Sequence, residues 1–317
     1  YPTALHAIGL HRQRRQFRHH EGELLRFDGF NFPSYSVRSP NVDAQKCINL
    51  YAELHEMGNG KERERYSLVG TPGLNTLLTL AGGEFRGCLT ASNGQLFAVG
   101  GTKLYRISSA WAATELGTLS TSTGPISMAD NGLQVMIVDG PNGYVWTIGA
   151  ATFAQITDPD FPGANQVSFV DGYFIFDVPN SGQFMITGLT AVTVDALDIA
   201  TSEGKPDPLM GHIALNREIL MLNEKSGEVF YNTGNADFPF ERVQGGFFET
   251  GCAARFSVAK GDGHVFFLGQ DENGTGIVYV WSGGATVQRI STHAVEYSIR
   301  QFTSFSDAEG YCYQEEG

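Results

Sequence analysis

The chain has 317 residues, 42% of them hydrophobic, and a net charge of −13, a composition that excludes intrinsic disorder for most of its length. Its 39 glycines and 12% aromatic residues are typical of short strands joined by tight turns, and therefore of an all-β protein. The acidic excess disfavours a groove that grips nucleic acid through Lys and Arg, although it allows a pore through which DNA slides.

Residues 1–30 form a basic segment without hydrophobic periodicity. Its first 20 residues contain four arginines and no acidic residue, which leaves a charge of −17 on the rest of the chain. We interpret residues 1–30 as a flexible basic arm or as an appended segment outside the native reading frame; an arm that touches DNA or an acidic neighbour is the alternative. Neither a secretory signal nor an apolar run of membrane-spanning length is present, so we expect no membrane association.

Residues 31–83 mix extended-looking stretches with a polar loop and end near a turn at Thr71-Pro72-Gly73. From residue 84 onward the sequence repeats with a period of about 40 to 47 residues. Turn pairs that each precede a strand mark the repeats: Asn93-Gly94, Asn131-Gly132, Asp171-Gly172, Asp262-Gly263 and Glu309-Gly310. In one repeat Asn216-Arg217 takes the place of such a pair.

These turn pairs predict two-residue hairpins, because Asn-Gly and Asp-Gly supply the positive φ angles that such turns need. The strands beside them, such as 135–138 and 173–176, are apolar at every position, which predicts burial on both faces. Four short strands per repeat predict a β-propeller of about six blades, each a four-stranded antiparallel sheet. Helix-pair solenoids share the period, but the β-branched and aromatic strands decide against them.

The predicted propeller covers residues 84–317, with repeats that start near residues 84, 124, 165, 210, 253 and 293. The sixth repeat stops at Gly317 in the middle of its hairpin. We therefore expect the last blade to be incomplete, or to be closed by strands from residues 31–83.

Two loops place bulky residues where turns are normally small. One carries Asp158, Asp160 and Phe161; the other carries Asp237, Phe238 and Phe240. A Phe beside a Pro in a blade connection can anchor a partner, so these six residues are candidate interface residues. In the alternative interpretation the phenylalanines pack back under their loops.

No motif in the sequence predicts catalysis, a cofactor or a metal. The turn carboxylates, including Asp195 and Asp198, could act as the catalytic acid and base of a glycosidase. Asp side chains also stabilise turns by hydrogen bonding to their own backbone. The segment 271–276 resembles half a calcium loop and is also a hairpin turn. The cysteines lack metal-ligand spacing and are predicted to be buried free thiols, and His212, His264 and His293 are predicted to be structural.

Several stretches resemble one protein family: 36–43 (SVRSPNVD), 47–53 (CINLYAE), 70–74 (GTPGL), 127–132 (SMADNG), 156–163 (ITDPDFPG), 195–198 (DALD) and 236–242 (ADFPFER). Together they are similar to the tail accessory, or packaged-DNA stabilisation, proteins of short-tailed bacteriophages. The likeness covers residues 36–317.

This resemblance implies a non-catalytic structural protein of the virion tail, assembled in the host bacterial cytoplasm. It implies a hub ring of six copies below the portal and its adaptor, which retains packaged DNA, carries the tail needle and the tail spike or fibre, and lets DNA pass without specific binding. A glycan-binding or glycoside-hydrolysing propeller is the alternative. A scaffold for other protein partners is a third possibility.

Overall fold

The computed structural model describes residues 50–55, 65–70, 73, 75–202, 204–271 and 274–312. The chain divides into two compact units. The first comprises Tyr1–Asn75 and Ser291–Thr303, and the second comprises Thr76–Ile290 and Ser304–Gly317.

The first unit contains a hairpin and a short helix. Strands β1 (Leu50–His55) and β2 (Arg65–Gly70) pair antiparallel. Helix α1 (His293–Ile299) lies where the sixth repeat was predicted to begin. Near its start the buried Glu296 accepts a hydrogen bond from Ser291 Oγ at 2.9 Å, which satisfies one oxygen of this carboxylate.

The second unit contains five antiparallel sheets, here called blades 1 to 5. Blade 1 consists of β3 (Phe85–Thr90), β4 (Leu96–Gly100), β5 (Lys103–Ile107) and β6 (Ala113–Thr118). Blade 2 consists of β7 (Ser127–Asp130), β8 (Gln134–Val138), β9 (Gly143–Thr147) and β10 (Thr152–Gln155). Blade 3 consists of β11 (Val167–Val170), β12 (Tyr173–Asp177), β13 (Gln183–Thr187) and β14 (Val194–Thr201).

Blade 4 consists of β15 (Leu209–Leu215), β16 (Glu218–Asn223), β17 (Gly227–Asn232) and β18 (Phe240–Phe248). In blade 5 the first strand is interrupted. Its two pieces, β19 (Gly251–Cys252) and β20 (Ala259–Gly261), flank a 3₁₀ turn (Arg255–Ser257) and both pair with β21 (His264–Asp271). Strands β22 (Gly274–Trp281) and β23 (Val287–Arg289) complete it.

The first strands of successive blades contact one another: β3 contacts β7, β7 contacts β11, β11 contacts β15, and β15 contacts β19. They therefore form the inner layer of the unit, and the predicted all-β propeller of four-stranded antiparallel blades is confirmed. Residues 304–312 belong to this unit without forming a strand, and Gly310 N donates to Phe256 O at 2.8 Å beside blade 5.

The core consists of four apolar layers, one between each pair of neighbouring blades. In β8, Val135 and Ile137 pack towards blade 1, whereas Met136 and Val138 pack towards blade 3. The uninterrupted apolar strands are therefore buried on both faces, as the sequence predicts. The outer face of blade 1 is covered by Leu78 and Leu80, which precede it in the chain.

The turns at Asp171-Gly172 and Asp262-Gly263 have the predicted conformation, with positive φ at both residues, whereas at Asn93-Gly94 and Asn131-Gly132 only the glycine has positive φ. Gly94, Gly132, Gly172 and Gly263 all have positive φ. The turn without glycine keeps this conformation, since Asn216 and Arg217 have φ values of 51° and 68°. A positive φ is unfavourable for an arginine.

Candidate functional site

The first predicted interface loop, between blades 2 and 3, turns its aromatic ring inward. Asp158 and Asp160 are exposed, and Asp158 Oδ1 accepts a hydrogen bond from the backbone N–H of Asp160 at 3.1 Å. Phe161 packs edge-on against Phe176 with ring centroids 5.3 Å apart, within the layer between the two blades. Of the three candidate residues in this loop, only the two aspartates are fully exposed.

The second predicted loop, between β17 and β18, has the same arrangement. Asp237 is exposed, whereas Phe238 and Phe240 pack into the layer between blades 3 and 4. The ring of Phe240 lies 5.6 Å from that of Tyr173. The phenylalanines thus contribute to the core, and the interface role of these loops stays a prediction that rests on the three aspartates.

The two loops lie at opposite ends of the blades. Strands in each blade alternate in direction, so second and fourth strands finish at one end, here called the top end. The loop of Asp158 follows the fourth strand of blade 2 and lies at the top end. The loop of Asp237 follows the third strand of blade 4 and lies at the bottom end. The structure therefore does not bring the six candidate residues together.

A polar network at the top end of the inner layer connects blades 3, 4 and 5. At its centre Asp177, which is fully buried, accepts hydrogen bonds from the backbone N–H groups of Asn165 and Gln166 at 2.8 and 2.7 Å. Arg255 Nη1 binds the other carboxylate oxygen at 2.6 Å. Arg255 Nη2 also donates to the backbone oxygen of Leu209 at 3.3 Å, so one guanidinium contacts all three blades.

A second network joins blades 1 and 2. Asp139 accepts a hydrogen bond from Thr121 Oγ1 at 2.6 Å and from the hydroxyl of Tyr144 at 3.2 Å. The same threonine oxygen accepts from Nη2 of the buried Arg86 at 2.9 Å. Arg86 Nη1 donates to the backbone oxygen of Gly101 at 2.9 Å. Such bonds compensate for the burial of a charged group.

Asp139, Asp177 and Asn223 occupy the same position in their repeats, at the end of the second strand. The sequence reasoning missed them. A signal was present, because each apolar strand ends directly in Asp or Asn before its turn: VMIVD, YFIFD and ILMLN. At the top end these side chains form hydrogen bonds with backbone groups and with neighbouring blades rather than facing an open cleft.

Ser168 and His212 form the arrangement most similar to a nucleophile and its base. Ser168 Oγ lies 3.1 Å from His212 Nδ1. Burial lowers the pKa of His212 to about 4, against the opposing influence of Asp177. Among the described residues His212 Nε2 is buried without a hydrogen-bond partner, so none of them orients the ring as the third member of a triad does. We interpret His212 as a core residue, in line with the sequence prediction.

A cavity of about 250 Å³ lies where the start of blade 1 approaches Phe256 and residues 309–310. Its lining includes Glu84, Phe85 and Arg86. It is smaller than most small-molecule pockets, and the guanidinium of Arg86 is already engaged by backbone oxygens.

The remaining candidate residues are two carboxylates of blade 3 and the cysteines. Asp195 and Asp198 lie on β14, the outermost strand of blade 3, where burial and Asp195 raise the pKa of Asp198. Cys252 is buried and its thiol pKa is raised by burial, whereas Cys88, predicted to be buried, is exposed. Cys47 lies outside the described residues.

Within the part of the chain that the structure describes, no three His, Cys, Asp or Glu side chains converge as metal ligands. None of the helices described has the length and hydropathy of a membrane span.

The chain matches one family in sequence and several proteins in fold. A family model described as "Bacteriophage P22 Gp10, beta-propeller" matches residues 40–316. No curated protein matches the chain.

Two solved structures illustrate the likeness in fold. Virginiamycin B lyase from Staphylococcus aureus is 10% identical over 77% of this chain and 78% of that chain, with a TM-score of 0.47. PorZ from Porphyromonas gingivalis is 16% identical over 69% of this chain and 29% of that chain, with a TM-score of 0.43. These scores are too low for either likeness to bear on function.

Proposed function

The chain belongs to the Phage_stabilise family, that of the bacteriophage P22 Gp10 β-propeller, and from this membership we propose that it is a structural protein of a short phage tail. The observation that carries the proposal is the extent of the match, residues 40–316, which includes every blade. As a virion component the protein acts through its shape and its contacts rather than through a reaction.

In the finer form of this proposal, six copies form a hub ring below the portal and its adaptor. The ring retains packaged DNA and carries the tail needle and the tail spike or fibre. The continuous apolar layers between blades support a load-bearing role, because close-packed interiors resist compression. The ring assembles in the host bacterial cytoplasm before ejection takes place through it.

DNA would pass between the copies of such a ring rather than along the axis of one propeller. The contact between Arg255 of blade 5 and Asp177 of blade 3 crosses the inner layer at the top end. A duplex cannot pass where groups from these two blades are within hydrogen-bond distance. An acidic wall facing the common channel would keep DNA from adhering during ejection, because like charges repel.

The glycan-active alternative has less support. The buried Asp139 and Asp177 are engaged by protein donors, and Asp195 and Asp198 lie on an outermost strand. Hydrolysis of a glycoside needs two carboxylates that face one substrate.

The test of the tail role is assembly on the adaptor. Light scattering and negative-stain imaging would follow the purified chain alone and mixed with a portal–adaptor ring. The expected result is a stoichiometric ring that forms on the adaptor. A chain that ignores the adaptor contradicts the proposal, and a glycan array would then test the alternative.

A further inference from the structure

The sequence contains five Asn-Gly pairs, and three of them lie entirely among the residues that the structure describes: Asn93-Gly94 in blade 1, and Asn131-Gly132 and Asn142-Gly143 in blade 2. The side-chain amide of an asparagine can react with the main-chain nitrogen of the next residue. Glycine favours this reaction, because it has no Cβ to obstruct the approach of its nitrogen. The surroundings of the three pairs therefore decide which of them reacts.

Asn93 is the least restrained of the three asparagines. It is exposed at the bottom end, in the turn between β3 and β4, and its Oδ1 accepts a hydrogen bond from the Gln95 N–H at 3.0 Å. Among the described residues, none accepts a hydrogen bond from Asn93 Nδ2. Gly94 is also exposed, and a Cβ at its position would meet no atom within 4 Å. The reacting groups are therefore open to water.

The amide of Asn131 is held at both of its ends. Its Oδ1 accepts hydrogen bonds from the backbone N–H groups of Leu133 and Gln134 at 3.0 and 2.7 Å. Its Nδ2 donates to the side-chain oxygen of Gln134 at 3.2 Å. Asn131 and Gly132 are both half-buried, so more contacts must break here before the amide can turn towards the main chain.

Asn142 is restrained in a similar way. Its Nδ2 donates to Asp139 Oδ1 at 3.1 Å, and its Oδ1 accepts from Gln155 Nε2 at 3.0 Å. The glycine that follows it, Gly143, is buried and is the first residue of β9, where it pairs with Val138. The nitrogen that would react belongs to a strand of the blade rather than to an exposed turn.

The turn that carries Asn93 also connects two blades. Ser92, the preceding residue, donates from its backbone N–H and its hydroxyl to Asp130 Oδ2 of blade 2, at 3.0 and 2.5 Å. Within the turn, Gly94 N donates to Ala91 O at 2.8 Å. This bond must open before the nitrogen of Gly94 can react, and exposed turns are among the parts of a protein that open most readily.

We propose that Asn93 is a site of spontaneous deamidation, and that the reaction alters the contact between blades 1 and 2. The nitrogen of Gly94 forms a bond to Cγ of Asn93, the Cγ–Nδ2 bond breaks, and ammonia leaves with the proton of the Gly94 N–H. Water then opens the cyclic imide at either carbonyl carbon, which leaves an aspartate or an isoaspartate. This proposal does not depend on the tail role.

Both products change the turn beside the contact of Ser92 with Asp130. Each adds a negative charge at the residue next to Ser92, close to the carboxylate of Asp130, and like charges repel. Isoaspartate also lengthens the main chain of the turn, which displaces Ser92 relative to blade 2. We therefore expect the modified chain to be less stable than the unmodified one.

The experiment incubates the full chain at mildly alkaline pH and follows its peptides by mass spectrometry. Product at Asn93 is expected to form about tenfold faster or more than at Asn131 or Asn142, because fewer hydrogen bonds must break there. In guanidinium chloride the three pairs should react at similar rates, since each has the same glycine neighbour. Asn93→Gln should lose the reaction at this position, because its longer side chain must close a larger ring.

Anion exchange separates the modified chain, which carries additional negative charge, and its Tm is expected to lie a few degrees below that of the unmodified chain. A sample kept at mildly acidic pH, where attack by the main-chain nitrogen is suppressed, is the control for the incubation. The site is wrong if the folded chain does not react at Asn93, or if Asn131 or Asn142 reacts as fast. Equal Tm values for the two forms would overturn the effect on the contact between blades 1 and 2.

Discussion

Arg255 of blade 5 and Asp177 of blade 3 form an ion pair of 2.6 Å that passes over the blade between them. The two residues are 78 positions apart in the chain. The aspartate side chain is 1% exposed and that of the arginine 18%, so the pair is shielded from solvent. It holds the inner ends of three blades in one arrangement.

Removing the charge of Asp177 is expected to destabilise the protein severely. In Asp177→Asn the guanidinium of Arg255 loses its partner inside the protein, and breaking a buried pair in this way costs about 3–5 kcal/mol. Urea unfolding followed by circular dichroism measures the change. Lys103→Gln, which breaks the exposed pair with Glu115, is the control and should cost less than about 1 kcal/mol. Equal losses of unfolding free energy in Asp177→Asn and Lys103→Gln would contradict the stabilising role of the pair between Arg255 and Asp177.

Stability is expected to fall as the pH drops from about 6.5 to about 4, because of His212. Above pH 6.5 the imidazole is neutral in both states and has no effect. Below it the unfolded chain takes up a proton that the folded chain refuses, since burial lowers the folded pKa to about 4. The loss is roughly 3 kcal/mol across this window. His212→Gln should flatten this part of the curve of unfolding free energy against pH; an unchanged slope would refute the interpretation.

Two glycines with positive φ are expected to differ in their tolerance of alanine. Gly94 has a φ of 81° and open space around the position of a Cβ, whereas at Gly163, with a φ of 84°, a Cβ would lie 2.5 Å from Gly140 O. Gly94→Ala should cost about 1–2 kcal/mol from backbone strain alone. Gly163→Ala should cost roughly twice as much or more, because a backbone oxygen cannot move aside. Thermal unfolding of both variants provides the comparison.

Exposed and buried members of the predicted interface loops are expected to respond differently. Asp158→Lys, Asp160→Lys and Asp237→Lys should leave Tm within a few degrees of the wild type while weakening assembly on the adaptor, if the loops contact it. Phe161→Ala should lower the unfolding free energy by about 2–3 kcal/mol, since the ring fills the layer between blades 2 and 3. Normal assembly by all three lysine variants would remove these loops from the interface.

The propeller body is expected not to bind DNA. A chain that starts at residue 31 lacks the five arginines of residues 1–30 and carries a large acidic excess, so it should not retard duplex DNA in a gel at about 150 mM salt. The full chain tested in parallel separates an effect of residues 1–30 from one of the body. Retardation by the shorter chain would argue against an acidic conduit wall.

The blades were predictable because their signals are local. The apolar runs of β8 and β12 and the turn pairs next to them specify strands buried on two faces. The turn at Asn216-Arg217 keeps its hairpin without a glycine, and the Arg217 guanidinium lies 2.9 Å from Asp171. The 3₁₀ turn at Arg255 was not predictable in this way. It depends on an ion pair with a residue two blades away, which leaves no periodicity in the sequence.

The polar residues at the top end of the blades were predictable only in part. Asp139, Asp177 and Asn223 recur at one repeat position, so alignment of the repeats would have found them. Glu228 could not be recognised, because a glutamate in a strand is normally exposed. Its burial on β17 follows from the packing of blade 4 against its neighbour, which is a property of the folded chain.

The alternating side chains of β8 mean that one strand belongs to two cores. Val135 and Ile137 cannot leave one layer unless Met136 and Val138 leave the other. Peeling a single blade from the propeller therefore opens apolar surface on both of its neighbours at the same time. A force applied to one blade is resisted by three, and we expect blades 1 to 5 to yield together rather than one after another when the protein is pulled or heated.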